Sequence, residues 1–373
     1  MIETIRDRDG LRMLVVPSQA LAEREQAHPH RHRAVRVIAT VLVLAVLAVE
    51  LTLVAPYIAS TGRHLRHLNY GWLVVAVVAE AASMAMFARL QQRMVTAGGV
   101  RVPLLRVLGM TYAANAMSVT LPAGTIASTA YTFRKLRAWG AGGSLVTFAL
   151  VASGVLSTLT LALILVLGAT FSGGGSANPF LLAAEFAATI VGAIALRRLM
   201  RRPDVLLRVG NRALRVGDRL LRRPPESGQA QLKHVIDELT LIRPRRRDWA
   251  LGLLFATLNW GYDLLCLVAA CHAVGANGPS LSVALVTYAA AMTASSLPLL
   301  PGGLGVVDGV LILALVRGGM PASTATAGVL IYRLISLGVV SLIGWLLWIF
   351  VERSGRKSRR AVLVPSVAAE PEL

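Results

Sequence analysis

Residues 296–309 read SLPLLPGGLGVVDG, with two prolines, four glycines and one carboxylate set into a chain otherwise dominated by Leu, Val and Ala. Proline removes a backbone donor and glycine opens backbone angles closed to other residues, so the stretch breaks any helix that runs into it. In a soluble protein it would be a surface turn. At membrane depth it would leave N–H and C=O groups without water, which is tolerated only where protein or a wet cavity supplies partners. The rest of the chain decides between the two.

Of 373 residues, 55% are hydrophobic and 15% charged, and the mean hydropathy is +0.63, far from the balance of a soluble globular domain. The chain reads as an integral membrane protein. A helix needs about 20 mostly apolar residues to cross a bilayer. Six runs reach that length: residues 36–58, 70–89, 143–171, 179–196, 249–273 and 322–350. Two more are broken, 104–137 at LPAG (121–124) and 281–316 at LPGG (300–303).

Lys and Arg total 38 against 19 Asp and Glu, and the excess gathers between the apolar runs. That distribution speaks of topology and not of nucleic acid. The arm before the first run, the segment holding Arg89, Arg93, Arg101 and Arg106, the segment holding Arg134, Lys135 and Arg137, the loop 197–248 and the tail after Arg353 are all basic. They should be cytoplasmic, with both termini on that side, in a plasma or inner membrane. SGGGSAN (172–178) and VGANGPS (274–280) carry no charge and should face outward. GRHLRHLN (62–69), with two arginines on an outer loop, is the discordant segment.

Each broken run fits this assignment only by entering and leaving on one side, the first from the cytoplasm and the second from outside. The expected fold is therefore all-α, a polytopic helical bundle of about six full spans plus two re-entrant helical hairpins in inverted repeats, 35–171 and 179–350. A cytosolic arm (1–34) precedes the membrane domain (35–350), and a charged tail expected to be disordered (351–373) follows it. Matching Gly/Pro-interrupted segments in two inverted halves point to a transporter site near the bilayer midplane. The plainer reading is that Pro and Gly merely kink two packed helices.

Within the basic loop, DVLLRVGNRALRVGDRLLRR from Asp204 spaces its arginines at four and three and reads as an amphipathic helix lying on an anionic leaflet. The alternative is a solvated connector. HPHRHR (28–33) reads as a basic anchor beside the membrane. Cys266 and Cys271, five apart in an apolar run, suit neither a disulfide framework nor a metal site and read as packing residues. The roughly thirty polar or mixed residues before the first run do not resemble a cleaved signal peptide, so no processing is expected.

Ionisable side chains in a bilayer cost about 2.5–3.5 kcal/mol on insertion scales and need a partner or a wet cavity. Glu80, Asp263 and Arg333 fall near the centres of their runs, and Asp308 lies just past the second break. Asn259 shares the run of Asp263, and Glu80 maps near both when the halves are aligned. Tyr112 and Asn115 precede the first break, which contains Pro122 and Gly124, and Arg134 follows it. Pro301, Gly302, Gly303 and Gly305 form the second, and Tyr332 adjoins Arg333. A half-helix starting after Gly303 would aim unpaired N–H groups and a positive dipole end at an anion such as lipid phosphate. An internal salt bridge is the structural alternative for the charged residues. GLGVVDG is no dinucleotide motif, since it follows no strand and opens no βαβ unit, and no HExxH, P-loop or GxSxG occurs. No cofactor, metal site or independent enzyme activity is expected.

PGGLGVVD from Pro301, Asn115 with the LPAG break, and the Tyr332-Arg333 pair resemble the flippase-like transmembrane family related to the membrane region of lysylphosphatidylglycerol synthase, also called the multiple peptide resistance factor. The resemblance covers nearly all of residues 35–350. It implies an inner-membrane protein that moves lipid headgroups between leaflets. In fused relatives a soluble domain attaches amino acids to phosphatidylglycerol, and that activity is not expected here. Asp308 stands where many relatives have Glu, and Thr125, Ile126 and Ala127 replace the acidic residue that often follows the first break. The expected function is a lipid flippase or lipid-linked substrate transporter, with anionic phospholipid as partner. The alternatives are a non-transporting membrane partner or regulator of an envelope lipid-modifying enzyme, and a membrane-embedded transferase.

Overall fold

The structure is a computed structural model and describes residues 4–6, 12–14, 68–121, 123–171, 244–275, 278–295, 303 and 305–349. The runs 36–58 and 179–196, most of the loop 197–248 with its amphipathic segment, the SGGGSAN loop, the tail, Pro122, Pro301 and Gly302 lie outside the described residues.

Met1–Leu53 and Val54–Leu373 are two compact units. In the first, β1 (Thr4–Arg6) and β2 (Arg12–Leu14) pair antiparallel, with Ile5 opposite Met13. The all-helical reading did not anticipate this hairpin, although Asp9-Gly10 between the strands is a turn-favouring pair.

The described part of the second unit is helical, and its order repeats. A long helix α1 (Tyr70–Ala97) leads to α2 (Leu104–Thr120), α3 (Gly124–Ala138) and a second long helix α4 (Gly143–Phe171). The long helix α5 (Arg246–Val274) leads in the same way to α6 (Leu281–Ser295), α7 (Val306–Arg317) and α8 (Ala322–Arg333). The last continues through a widened π turn, Leu334–Val339, to Ile349. Among the described residues, four helices are long and apolar enough to cross a membrane: Tyr70–Ala97, Gly143–Gly168, Arg246–Val274 and Ala322–Ile349. They coincide with four of the six runs expected to span.

α1 and α5 form the centre and run antiparallel. Asn69 caps α1 by accepting from the N–H groups of Gly71 and Trp72 at 3.0 and 3.3 Å. Its own N–H reaches the Ala273 carbonyl at 2.9 Å, and Trp72 stacks on His272 with ring centroids 4.7 Å apart. At mid-length Asn259 donates to the Ser83 hydroxyl at 2.8 Å and to its carbonyl at 3.1 Å. At the far end Arg93 pairs with Asp248, whose other oxygen caps α5 through the N–H of Arg245 at 2.8 Å. Gly252 lets the helices close, since a Cβ there would come within 2.7 Å of Leu156 and 3.0 Å of Met94. Between apolar helices in lipid such close packing replaces the hydrophobic drive available in water.

The first break is sharp. Leu121 is extended, Ala123 sits at φ 54°, and α3 begins at Gly124, where a Cβ would lie 2.3 Å from the Ser118 carbonyl oxygen. Glycine is the residue that fits. With 17 and 15 residues, α2 and α3 extend roughly 26 and 23 Å, each short of the bilayer's hydrocarbon core of about 30 Å. At the second break Gly303 and Gly305 take φ 67° and 79° before α7, which has 12 residues. α3 and α7 then end alike: Gly140 and Gly319 adopt positive φ, and Ala141 and Met320 donate to Leu136 and Leu315, each at 3.1 Å. The two caps stand 179 residues apart, as do LPAG and LPGG.

Candidate functional site

Four helices bring polar groups to one place in the apolar interior. Asp263 of α5 receives the Tyr288 hydroxyl of α6 on Oδ2 and the Tyr332 hydroxyl of α8 on Oδ1, the latter at 3.1 Å. Tyr288 and Tyr332 are buried to 0% and 2% exposure. Glu80 of α1, 3% exposed, sets its carboxyl against those of Asp263 and the Cys266 thiol. Among the described residues its Oε2 is buried without a hydrogen-bond partner. Tyr112 of α2 is buried within electrostatic reach of Glu80. Around them Cys266, Leu267, Ala270, Ala291 and Leu311 form a tightly packed apolar shell.

An ion pair adjoins this cluster. Successive residues on a helix diverge by about 100°, so Tyr332 turns to Asp263 while Arg333 turns to the second break. The Arg333 Nε donates to Asp308 Oδ1, and its Nη2 lies 3.4 Å from the Gly303 carbonyl. Asp308 Oδ2 accepts from the N–H of Gly305 at 2.9 Å. The broken start of α7 is thus capped from within the chain. The side chains of Arg333 and Asp308 keep 14% and 28% exposure, so the pair is not sealed. The π turn begins immediately after Arg333, and such turns recur at functional sites because they re-aim the side chains beside them.

Of the residues expected from sequence, Glu80, Asp263, Tyr332, Arg333, Asp308, Gly303 and Gly305 come together in this region, and Tyr112 approaches it. Asn259 serves the α1–α5 clasp one turn from Asp263. Gly124 closes the first break, Asn115 is half-buried on α2, and Arg134 is exposed on α3, ten residues beyond that break. Pro122, Pro301 and Gly302 lie outside the described residues. Sequence reasoning missed Tyr288 and Ser83. Tyr288 had left a trace: in LVTYAAAM its hydroxyl is surrounded by small apolar residues and needs a partner at membrane depth. Cys266 and Cys271 are free and buried.

The geometry offers two kinds of chemistry. Two carboxyls side by side repel as anions and attract when they share a proton. An arginine held beside a helix start can pair with an anion, and here the Asp308 carboxylate of the chain itself fills that place. The family model of the lysylphosphatidylglycerol synthase TM region matches residues 34–344. No curated protein matches the chain.

Proposed function

The chain belongs to the lysylphosphatidylglycerol synthase TM region family, and from that premise we propose that it is a lipid flippase or a carrier of a lipid-linked substrate of the cell envelope. The observation that carries the reading is Asp308 seated between Arg333 and the N–H of Gly305. A phosphodiester offers the same anionic oxygens, so an incoming headgroup replaces Asp308 there while its acyl tails stay in the bilayer. Glu80 and Asp263 present a carboxyl pair beside this path, positioned to meet a cationic part of the headgroup. The antiparallel α1–α5 pair and the matching succession of helices support two inverted halves. The short arms of α2, α3 and α7 support hairpins that dip into the membrane, with the arginine-rich end of α1 cytoplasmic.

The test is leaflet exchange of labelled phosphatidylglycerol in vesicles carrying the purified protein. Arg333→Ala should slow exchange by about tenfold or more, having lost a charge-assisted anion contact. Asp308→Asn should also impair it by leaving the seat without its internal anion. Full activity in both variants refutes the reading. The second reading, a non-transporting partner of a lipid-modifying enzyme, draws on the closure of Asp263 by two tyrosines. It predicts no exchange above protein-free vesicles even for the unaltered chain.

A further inference from the structure

A second polar feature lies at the opposite end of α1, thirteen residues and therefore about 20 Å from Glu80. A cavity of about 550 Å³ is lined there by Arg89, Arg93 and Arg101 together with the apolar side chains of Leu104, Leu251 and Phe255. Gln92, also in its wall, donates to the Val102 carbonyl at 2.8 Å and fixes the α1–α2 connection that carries Arg101.

Among the described residues, Asp248 is the one carboxylate paired with these three arginines. Arg93 gives one nitrogen to Asp248, and among the described residues its Nε is buried without a partner. Among the described residues Arg89 and Arg101 form no ion pair. Arg89 and Arg93 stand four apart on one helix face, where like charges repel unless an anion intervenes. The lining also has an apolar part on α5, Leu251 and Phe255, and Leu254 next to Phe255 is 48% exposed. A recess lined by both guanidinium groups and apolar side chains has the amphiphilic make-up that suits a bound lipid, with its headgroup phosphate among the guanidinium groups.

We propose that this cavity binds a phosphate-bearing anion, and that the apolar part of its lining selects the lipid form over the free ion. The site is independent of the translocation reading, because it shares no residue with the Asp263 cluster or the Arg333–Asp308 pair. It would hold a lipid where the α1–α5 clasp ends and couple leaflet composition to that joint.

Native mass spectrometry of the full chain in detergent tests this, with phosphatidylglycerol, phosphatidylcholine and inorganic phosphate as separate probes. Phosphatidylglycerol should bind more tightly than phosphatidylcholine, and Arg89→Gln with Arg101→Gln should weaken it by about tenfold or more. Arg106→Gln with Arg246→Gln removes the same charge outside the cavity and should leave binding within about twofold. Leu251→Trp fills the cavity without changing charge and should reproduce the loss, which covers failure of the double variant to fold. Binding of inorganic phosphate with the same sensitivity to Arg89 and Arg101 would keep the anion site and name the free ion as its occupant. Equal losses in the cavity and control pairs, or none in either the cavity pair or Leu251→Trp, would overturn the proposal.

Discussion

Arg333 and Asp308 meet across the second break, and the carboxylate that neutralises the arginine also caps the helix that follows. Removing either partner alone strands the other in a partly buried place, while removing both does not. Arg333→Ala and Asp308→Asn should each lower stability by about 1–3 kcal/mol. The double variant should lose clearly less than the sum. Thermal unfolding of the four proteins in one detergent measures the coupling, and strict additivity would mean that the pair contributes nothing.

Asp263 draws its hydrogen bonds from Tyr288 and Tyr332. Tyr288→Phe or Tyr332→Phe keeps the ring and deletes one donor, which should cost about 1–2 kcal/mol. The two changes together should exceed the sum, because the carboxylate then has no donor left beside Glu80. Amide exchange in α5 reports this, with protection around Asp263 falling most in the double variant.

Glycine at three positions gives a steric contrast. Gly124→Ala places a Cβ 2.3 Å from the Ser118 carbonyl oxygen, and Gly344→Ala places one 2.2 Å from that of Tyr112. Each should destabilise by more than about 2 kcal/mol. Gly154→Ala on α4 meets nothing within 4 Å and should be neutral or slightly stabilising. Yield and melting temperature of the monodisperse protein separate the three.

The proposed hairpins make a topological prediction. With Cys266 and Cys271 replaced by serine, single cysteines at Arg101 and Arg137, which flank α2 and α3, should react with an impermeant thiol reagent from one side. Cysteines at Ser280 and Arg317, which flank α6 and α7, should react from the other. All four positions are exposed. Labelling of Arg101 and Arg137 from opposite sides would mean that this segment crosses fully.

Much of the architecture was legible because lipid imposes a simple rule on sequence: apolar for about 20 residues, or broken where protein supplies partners. The runs at 70–89, 249–273 and 322–350 reappear as long helices. The breaks at LPAG and LPGG reappear where α2 ends and α7 begins. Glu80, Asp263 and Arg333 stood out because charge is rare in such runs. Their partners did not, since a tyrosine hydroxyl or a serine in a helix leaves no mark of the helix that it will meet. The β1–β2 hairpin escaped notice because three-residue strands show too little alternation to register.

The amino-acid order alone determined that the chain enters a membrane, where its long helices lie, where two runs are interrupted and which charges fall within the apolar runs, because each follows from local hydropathy and backbone chemistry. Tertiary structure alone decided that Arg333 takes Asp308 and Asp263 takes two tyrosines. It alone showed that Asp308 fills the seat at α7, and that Arg89, Arg93 and Arg101 share a cavity with Leu104, Leu251 and Phe255. Pairing joins residues tens of positions apart, and its free energy depends on distances that only the packed helices set.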